Sequence, residues 1–150
     1  MPGCGKTSIG MALAKKLNRE FADTDESIIK TAGKSIPDIF AKDGENAFRA
    51  LETAALRELC ERRSLVIATG GGIVTRPENL CFIKQNAMVF FLDRNLSELP
   101  VCGRPLSQKE GIEALAAARL PLYSQWSDYT VQVCGVEQTA DCICGILLMK

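Results

Sequence analysis

The sequence has no histidine and no Cys-x-x-Cys pair, and these absences exclude several kinds of catalytic and metal site. Without histidine, Ser-His and Cys-His nucleophilic schemes are ruled out, so acid–base chemistry falls to carboxylates, lysine, tyrosine or thiols. The seven cysteines are an odd number without zinc-ligand spacing, which argues against a disulfide framework or a zinc site. A reducing, cytoplasmic location is therefore expected.

Net charge and long apolar runs are missing as well. The 150 residues carry 18 acidic and 18 basic side chains, which indicates neither a nucleic-acid surface nor a face for an anionic membrane. No apolar stretch approaches the roughly 20 residues of a membrane span, and the first residues do not fit a signal peptide. With 150 residues, 47% of them hydrophobic, the chain is expected to form a single globular domain over 1–150. The protein is also expected to be a monomer.

What the sequence does have, at its very start, is a glycine-rich segment that runs into a helical pattern. Gly5, Lys6 and Thr7 fill the last three places of the phosphate-binding pattern G-x-x-x-x-G-K-[ST]. The first glycine of that pattern and the strand before it would precede Met1, so the motif is incomplete. Glycines let successive N–H groups face one anion, while the lysine bridges phosphates and the threonine hydroxyl ligates Mg²⁺. A plain glycine-rich helix start is the alternative.

Apolar periodicity alternates between helical and extended along the rest of the chain. Helices are predicted over residues 5–17, 25–33, 36–40, 45–62, 77–83, 112–123 and 138–148. The second helix is capped by Thr24 or Asp25, and Pro121 breaks the last turn of the sixth. Tyr123 and Trp126 are assigned to the core. Strands are predicted near 21–23, 65–69, 87–92 and 129–133, so the fold class is α/β with a parallel sheet.

Polar or glycine-rich segments follow the strands of this predicted sheet. Ligands of an open α/β sheet bind at the carboxyl ends of its strands, so these segments are expected to form one active site. Asp23 and Asp25 could hold Mg²⁺ through water and accept a proton from an attacking hydroxyl. Helix capping is the alternative for this pair. The glycines of 70–72 would let a ligand approach the main chain, although a tight turn would use them too.

Three arginines are candidates for anion binding. Arg49 and Glu52 lie three residues apart on a helix, so the carboxylate could orient the guanidinium to bind another carboxylate bidentately. A surface ion pair is the alternative. Arg104 lies in an irregular stretch and could close over phosphates, or it could be a solvated loop residue. Arg119 could bind a second anion or lie on the surface.

Taken in order, these motifs resemble one family, shikimate kinase. The matching segments are G-x-G-K-T at 3–7, D-T-D at 23–25, F-R-x-x-E at 48–52, G-G-G at 70–72, R-P-L at 104–106 and R-x-P-x-Y at 119–123. The resemblance implies a P-loop NTPase fold of the nucleoside-monophosphate-kinase type, with three layers and a parallel sheet in the order 2-3-1-4-5. It also implies ATP-dependent phosphorylation of the 3-hydroxyl of shikimate, on the pathway to chorismate and the aromatic amino acids.

The same resemblance implies a role for each matching residue. ATP would be bound by Gly3, Cys4, Gly5, Lys6, Thr7, Ser8 and Arg104. Mg²⁺ would be ligated by Thr7, with Asp23 assisting through water. Shikimate would be bound by Asp25, Arg49, Glu52, Gly70, Gly71, Gly72 and Arg119. The catalytic residues would be Lys6, Asp25 as or beside the base, and Arg104 as the lid arginine.

Two alternatives stay open beside the shikimate kinase interpretation. One is another small-molecule kinase of the same fold, acting on gluconate or a nucleotide. The other is a non-catalytic nucleotide-binding module descended from such a kinase. The family's first strand and leading loop glycine have no counterpart here, so the chain is expected to be an N-terminal truncation. The predicted lid around residues 102–111 is short.

Overall fold

The computed structural model describes residues 1, 3–95 and 111–149. The predicted lid, including Arg104, lies outside these residues except for Gly111. The helices are α1 (Lys6–Leu17), α2 (Thr24–Ala32), α3 (Ile36–Lys42), α4 (Gly44–Cys60), α5 (Glu78–Asn86), α6 (Ile112–Trp126) and α7 (Val136–Leu148). The strands are β1 (Glu20–Asp23), β2 (Leu65–Ala68), β3 (Phe90–Asp93) and β4 (Tyr129–Gln132), and a 3₁₀ turn spans Ile73–Thr75.

The four strands form two parallel pairs. β1 pairs with β2 from Glu20↔Leu65 onward, and β3 pairs with β4 from Phe90↔Tyr129 onward. Among the described residues, strand hydrogen bonds do not join one pair to the other. In a sheet of order 2-3-1-4-5, strand 2 lies beside strand 3 and strand 4 lies beside strand 5. The first strand of that sheet has no counterpart here, so β1 and β2 correspond to strands 2 and 3, and β3 and β4 correspond to strands 4 and 5. The observed pairs match these neighbours. The predicted α/β class with parallel strands is confirmed.

Two apolar clusters lie beneath the helices. The larger contains Ile9 and Leu13 of α1, which packs against α7 and against β2. Trp126 is buried in this cluster, as predicted. The smaller cluster joins α2, α3 and α4 through Ile28, Ile39, Phe48 and Ala55. In the part of the chain that is described, none of the helices is both long and apolar enough to cross a membrane.

The predicted cap of α2 was wrong by one or two residues. The cap is Asp23, whose side chain accepts a hydrogen bond from the backbone N–H of Asp25 at 2.9 Å. Thr24 is the first helical residue and is fully buried. Strand β1 runs directly into the helix, so its last residue becomes the cap. The predicted end of α2 at Gly33 is confirmed by its left-handed conformation, with φ of 62°.

The predicted break at Pro121 was also wrong, because α6 continues to Trp126. Proline removes one backbone hydrogen bond, but the turns around it are held by burial of Ala116, Tyr123 and Trp126. The helix ends at Trp126, and the N–H of the following Ser127 donates to the Tyr123 carbonyl. Burial of one helix face therefore outweighs the local cost of the proline.

Candidate active site

Residues that were predicted from separate strand ends line one pocket of about 570 Å³, a volume typical of small-molecule sites. The pocket brings together Gly3, Gly5, Lys6, Thr7, Ser8, Asp23, Asp25, Arg49, Glu52, Gly70, Gly71, Gly72 and Arg119. Cys4 belongs to the same loop, but its side chain is 1% exposed and packs into the larger apolar cluster. Only its main chain is therefore available to a ligand.

The phosphate-type loop depends on two glycines with positive φ, 78° at Gly3 and 94° at Gly5. A side chain at either position would be strained, which explains the choice of glycine. Gly5 is also the N-cap of α1 and has no side chain to cap the first N–H groups. These N–H groups and the positive end of the helix dipole are therefore suited to binding an anion. The Lys6 ammonium donates to the Met1 carbonyl at 2.8 Å and lies within this loop.

Asp23 joins the loop to the next helix. One of its carboxylate oxygens caps α2, and the other accepts a hydrogen bond from the Thr7 hydroxyl at 2.8 Å. A hydroxyl and a carboxylate beside an anion site are hard oxygen donors of the kind that Mg²⁺ prefers. The residues present therefore fit a magnesium ion held by Thr7 and Asp23.

Arg49 is 6% exposed and is held by two carboxylates of its own helix. Its Nη1 donates to Glu52 at 2.8 Å, and its Nη2 and Nε donate to Glu45 at 3.0 and 3.3 Å. A guanidinium has five N–H donors, so these bonds occupy three and leave one on each terminal nitrogen for a ligand. The predicted Arg49–Glu52 pair is confirmed as a contact, and it is buried rather than on the surface.

Glu52 is a buried carboxylate with one poorly satisfied oxygen. Its Oε2 accepts from Arg49, whereas its Oε1 is buried and has no hydrogen-bond partner among the described residues. Burial raises the pKa of Glu52 and the charge of Asp25 raises it further, although Arg49 opposes both effects. Desolvation outweighs the ion pair because only one of the two oxygens is compensated.

The raised pKa of Glu52 gives a test by pH. The folded state binds the proton more tightly than the unfolded state, so stability falls as the pH rises from the ordinary value of 4.5 through the folded pKa. Wild type is therefore expected to lose stability relative to Glu52→Gln over this window, measured by urea unfolding at several pH values. Glu58→Gln, an exposed position on the same helix, controls for loss of a charge. A wild-type advantage that grows with pH would contradict the assignment.

The glycine segment 70–72 passes between buried side chains. Behind it, the Thr24 hydroxyl accepts from the Gly70 N–H at 2.8 Å, and the Tyr123 hydroxyl donates to the Gly71 carbonyl at 2.6 Å. On its pocket side, a Cβ at Gly70 would overlap the Glu52 carboxylate, and one at Gly72 would overlap the Arg49 guanidinium. Gly70 and Gly72 therefore allow close packing of charged side chains, and neither has a positive φ.

Gly72→Ala tests this close approach. The added methyl must displace the Arg49 guanidinium, and losing a hydrogen bond to a charged group costs about 1.5–3 kcal/mol. We expect the KM for an anionic acceptor to rise about 10-fold or more, since about 1.4 kcal/mol corresponds to a factor of ten. Gly145→Ala is the matched control, because a Cβ at this helical glycine has open space around it. Equal kinetics in both variants would show that Arg49 does not depend on Gly72.

Several residues of the pocket were not predicted as site residues. One wall of the pocket comes from α3 and its neighbours and includes Ile29, Ser35, Ile36, Pro37, Phe40 and Phe48. The sequence signal for this wall was present: the Ser35 cap and adjacent proline predicted a helix directly after α2. Glu45 was also missed, although its spacing of four residues from Arg49 is typical of a helical ion pair.

Comparison with known proteins gives a consistent result. The family model described as shikimate kinase matches residues 2–143. A shikimate kinase of Burkholderia lata is 40% identical over 87% of this chain and 76% of its own length, and one of Acinetobacter baumannii strain AYE is 42% identical over 87% and 77%. The solved shikimate kinase of Acinetobacter baumannii in complex with shikimate has a TM-score of 0.88 at 35% identity, covering 99% of this chain and 89% of its own. The solved shikimate kinase of Aquifex aeolicus has a TM-score of 0.81 at 34% identity, covering 97% of this chain and 91% of its own.

Proposed function

Because the chain belongs to the shikimate kinase family, we propose that its pocket transfers the γ-phosphoryl group of ATP to the 3-hydroxyl of shikimate. The observation that carries this proposal is that a helix N-terminal anion site and two buried arginines line the same pocket. The helix N-terminus suits a polyphosphate, and the two arginines suit a small carboxylate acceptor.

The ATP phosphates are assigned to the α1 end of the pocket. The N–H groups of residues 3–8 face the phosphate oxygens, and Lys6 leaves the Met1 carbonyl to bridge the β- and γ-phosphates. Thr7, with Asp23 assisting through water, would hold Mg²⁺, and the ion would neutralise negative charge on the phosphates. Arg104 remains a proposed phosphate ligand from outside the described residues.

The acceptor is assigned to the arginine and glycine side of the pocket. The free N–H groups of Arg49 and the guanidinium of Arg119 bind the shikimate carboxylate, and Glu52 orients Arg49. Gly71 and its neighbours offer main-chain contact. Asp25 binds the reacting hydroxyl and accepts its proton, so the hydroxyl oxygen can attack phosphorus. Phosphoryl transfer needs positioning and charge stabilisation more than covalent catalysis, which fits a chain without histidine.

An acceptor screen tests this function. The chain is incubated with ATP, Mg²⁺ and shikimate, gluconate or a nucleoside monophosphate, and ADP release is followed together with the mass of the product. We expect turnover with shikimate and a product heavier by one phosphoryl group. Turnover with another acceptor would support a different kinase of the same fold. ATP binding without turnover on any acceptor would support a binding module instead.

A further inference from the structure

Tyr123 connects the helix that carries Arg119 to the glycine segment that supports Arg49. Building on the function proposed above, we propose that Tyr123 is a positioning residue that fixes the spacing between these two arginines. Its hydroxyl donates to the Gly71 carbonyl at 2.6 Å across 52 residues of sequence. The ring stacks on Phe91, with centroids 5.3 Å apart, so the hydroxyl has little freedom to move.

On one side, Tyr123 is coupled to Arg119. The two residues lie four apart on α6 and share one face of the helix, and both are almost fully buried. Burial raises the pKa of Tyr123, while the charge of Arg119 and its hydrogen bond to the hydroxyl oppose that rise. Tyr123 is thus one helical turn from Arg119 on the same face of α6, and its hydroxyl bonds to the carbonyl of Gly71.

On the other side, the glycine segment supports Arg49. The Arg49 guanidinium lies directly against the main chain of Gly72, so close that a Cβ there would overlap it. The hydrogen bond from Gly70 to Thr24 ties the segment to α2. The bond from Tyr123 ties it to α6 and therefore to Arg119. Through these contacts, the Tyr123 hydroxyl connects the glycine segment beside Arg49 to the helix that carries Arg119.

A small carboxylate held between two guanidinium groups requires a fixed distance between them. Without the Tyr123 hydroxyl, Arg119 and Gly71 lose a shared partner and can shift independently. The ring would stay in place against Phe91, so the change should act on binding of the acceptor carboxylate more than on ATP or on the overall fold. Tyr123 therefore determines preference for a carboxylate acceptor without having to touch it.

Tyr123→Phe tests this role, with Tyr129→Phe as the matched control. Tyr129 is the chain's other tyrosine and stacks on Phe90 away from the pocket lining. Steady-state kinetics are measured with shikimate and with its analogue in which the carboxylate is reduced to an alcohol. For Tyr123→Phe we expect the shikimate KM to rise about 10-fold with little change in the ATP KM, and the preference for shikimate over the alcohol to fall by a similar factor. Tyr129→Phe should match wild type.

A merely structural role of Tyr123 predicts different results. If the shikimate KM rises but the preference over the alcohol is unchanged, or if the ATP KM rises equally, the inference is wrong. A double-mutant cycle with Arg119→Gln gives a second readout: the two substitutions should not be additive in their effect on carboxylate preference, and additivity would overturn the inference. Failure of wild type to turn over shikimate would overturn the proposed function itself, whereas an active wild type with an unaffected Tyr123→Phe overturns only this inference.

Discussion

Asp25→Asn is expected to lower kcat by about 10²- to 10⁴-fold, the range that a positioned general base contributes. Asp25 lies in the first turn of α2 and lines the pocket. Asparagine keeps its shape, and the Asp25 N–H bond to the Asp23 cap does not depend on the side chain. The amide cannot accept the proton of the attacking hydroxyl, so the loss should appear in turnover while ATP affinity stays close to wild type.

Loss of folding would not explain this result. The charge of Asp25 raises the pKa of buried Glu52, so neutralising Asp25 removes an unfavourable interaction between two carboxylates. Thermal unfolding should therefore show a variant about as stable as wild type. Glu26→Gln is the matched control, because this glutamate is exposed in the same helical turn. An Asp25→Asn enzyme that retains most of its turnover would show that Asp25 is not the base.

Lys6→Met is expected to lower kcat by about 10²- to 10³-fold, comparable to removing one preorganised donor from developing negative charge. Lys6 is half-buried at the first position of α1, and methionine fills a similar volume without the ammonium. The ATP affinity should fall as well, because the lysine binds phosphates in the ground state and in the transition state. Initial rates at saturating shikimate and calorimetric titration with ATP separate the two effects.

The control for Lys6→Met is Lys15→Met, which removes an exposed lysine from the same helix. Both substitutions change net charge equally, so long-range attraction of ATP is altered to a similar extent. If the two variants lost turnover to the same degree, the effect would come from net charge, and Lys6 would have no specific role at the phosphates.

Much of the site could be predicted because its chemistry lies in short motifs at strand ends. These motifs are local properties of the chain: the conformation of the glycines at residues 3 and 5, the lysine after them, and the helical spacing of Arg49 and Glu52. The rule that ligands bind at the carboxyl ends of parallel strands then predicted that they would meet. The pocket confirms that they lie together, and their roles remain predictions that the variants above test.

The remaining features could not be predicted because they depend on contacts between distant residues. Thr24 was considered only as a cap, yet its hydroxyl binds the N–H of Gly70, 46 residues away. Tyr123 was assigned to the core, and it is buried, but its hydroxyl contacts the carbonyl of Gly71. Pro121 was predicted to break its helix because proline disfavours helix interiors, but burial of the surrounding helix overrides this preference. Local propensity cannot anticipate which buried polar atom will find which partner.

Because strand hydrogen bonds do not join β1–β2 to β3–β4 in the described part of the chain, other contacts link the two strand pairs, among them the hydrogen bond from Tyr123 to Gly71 and the packing of the helices. α1 is one of these links, since it packs against β1, β2 and α7. The ion pairs of Lys16 with α7 are solvent-exposed and contribute little to stability. The interface between α1 and α7 is therefore held mainly by the apolar contacts of Ile9 and Leu13. Packing of α1 against α7 therefore also supports the phosphate-type loop, because this loop runs directly into α1.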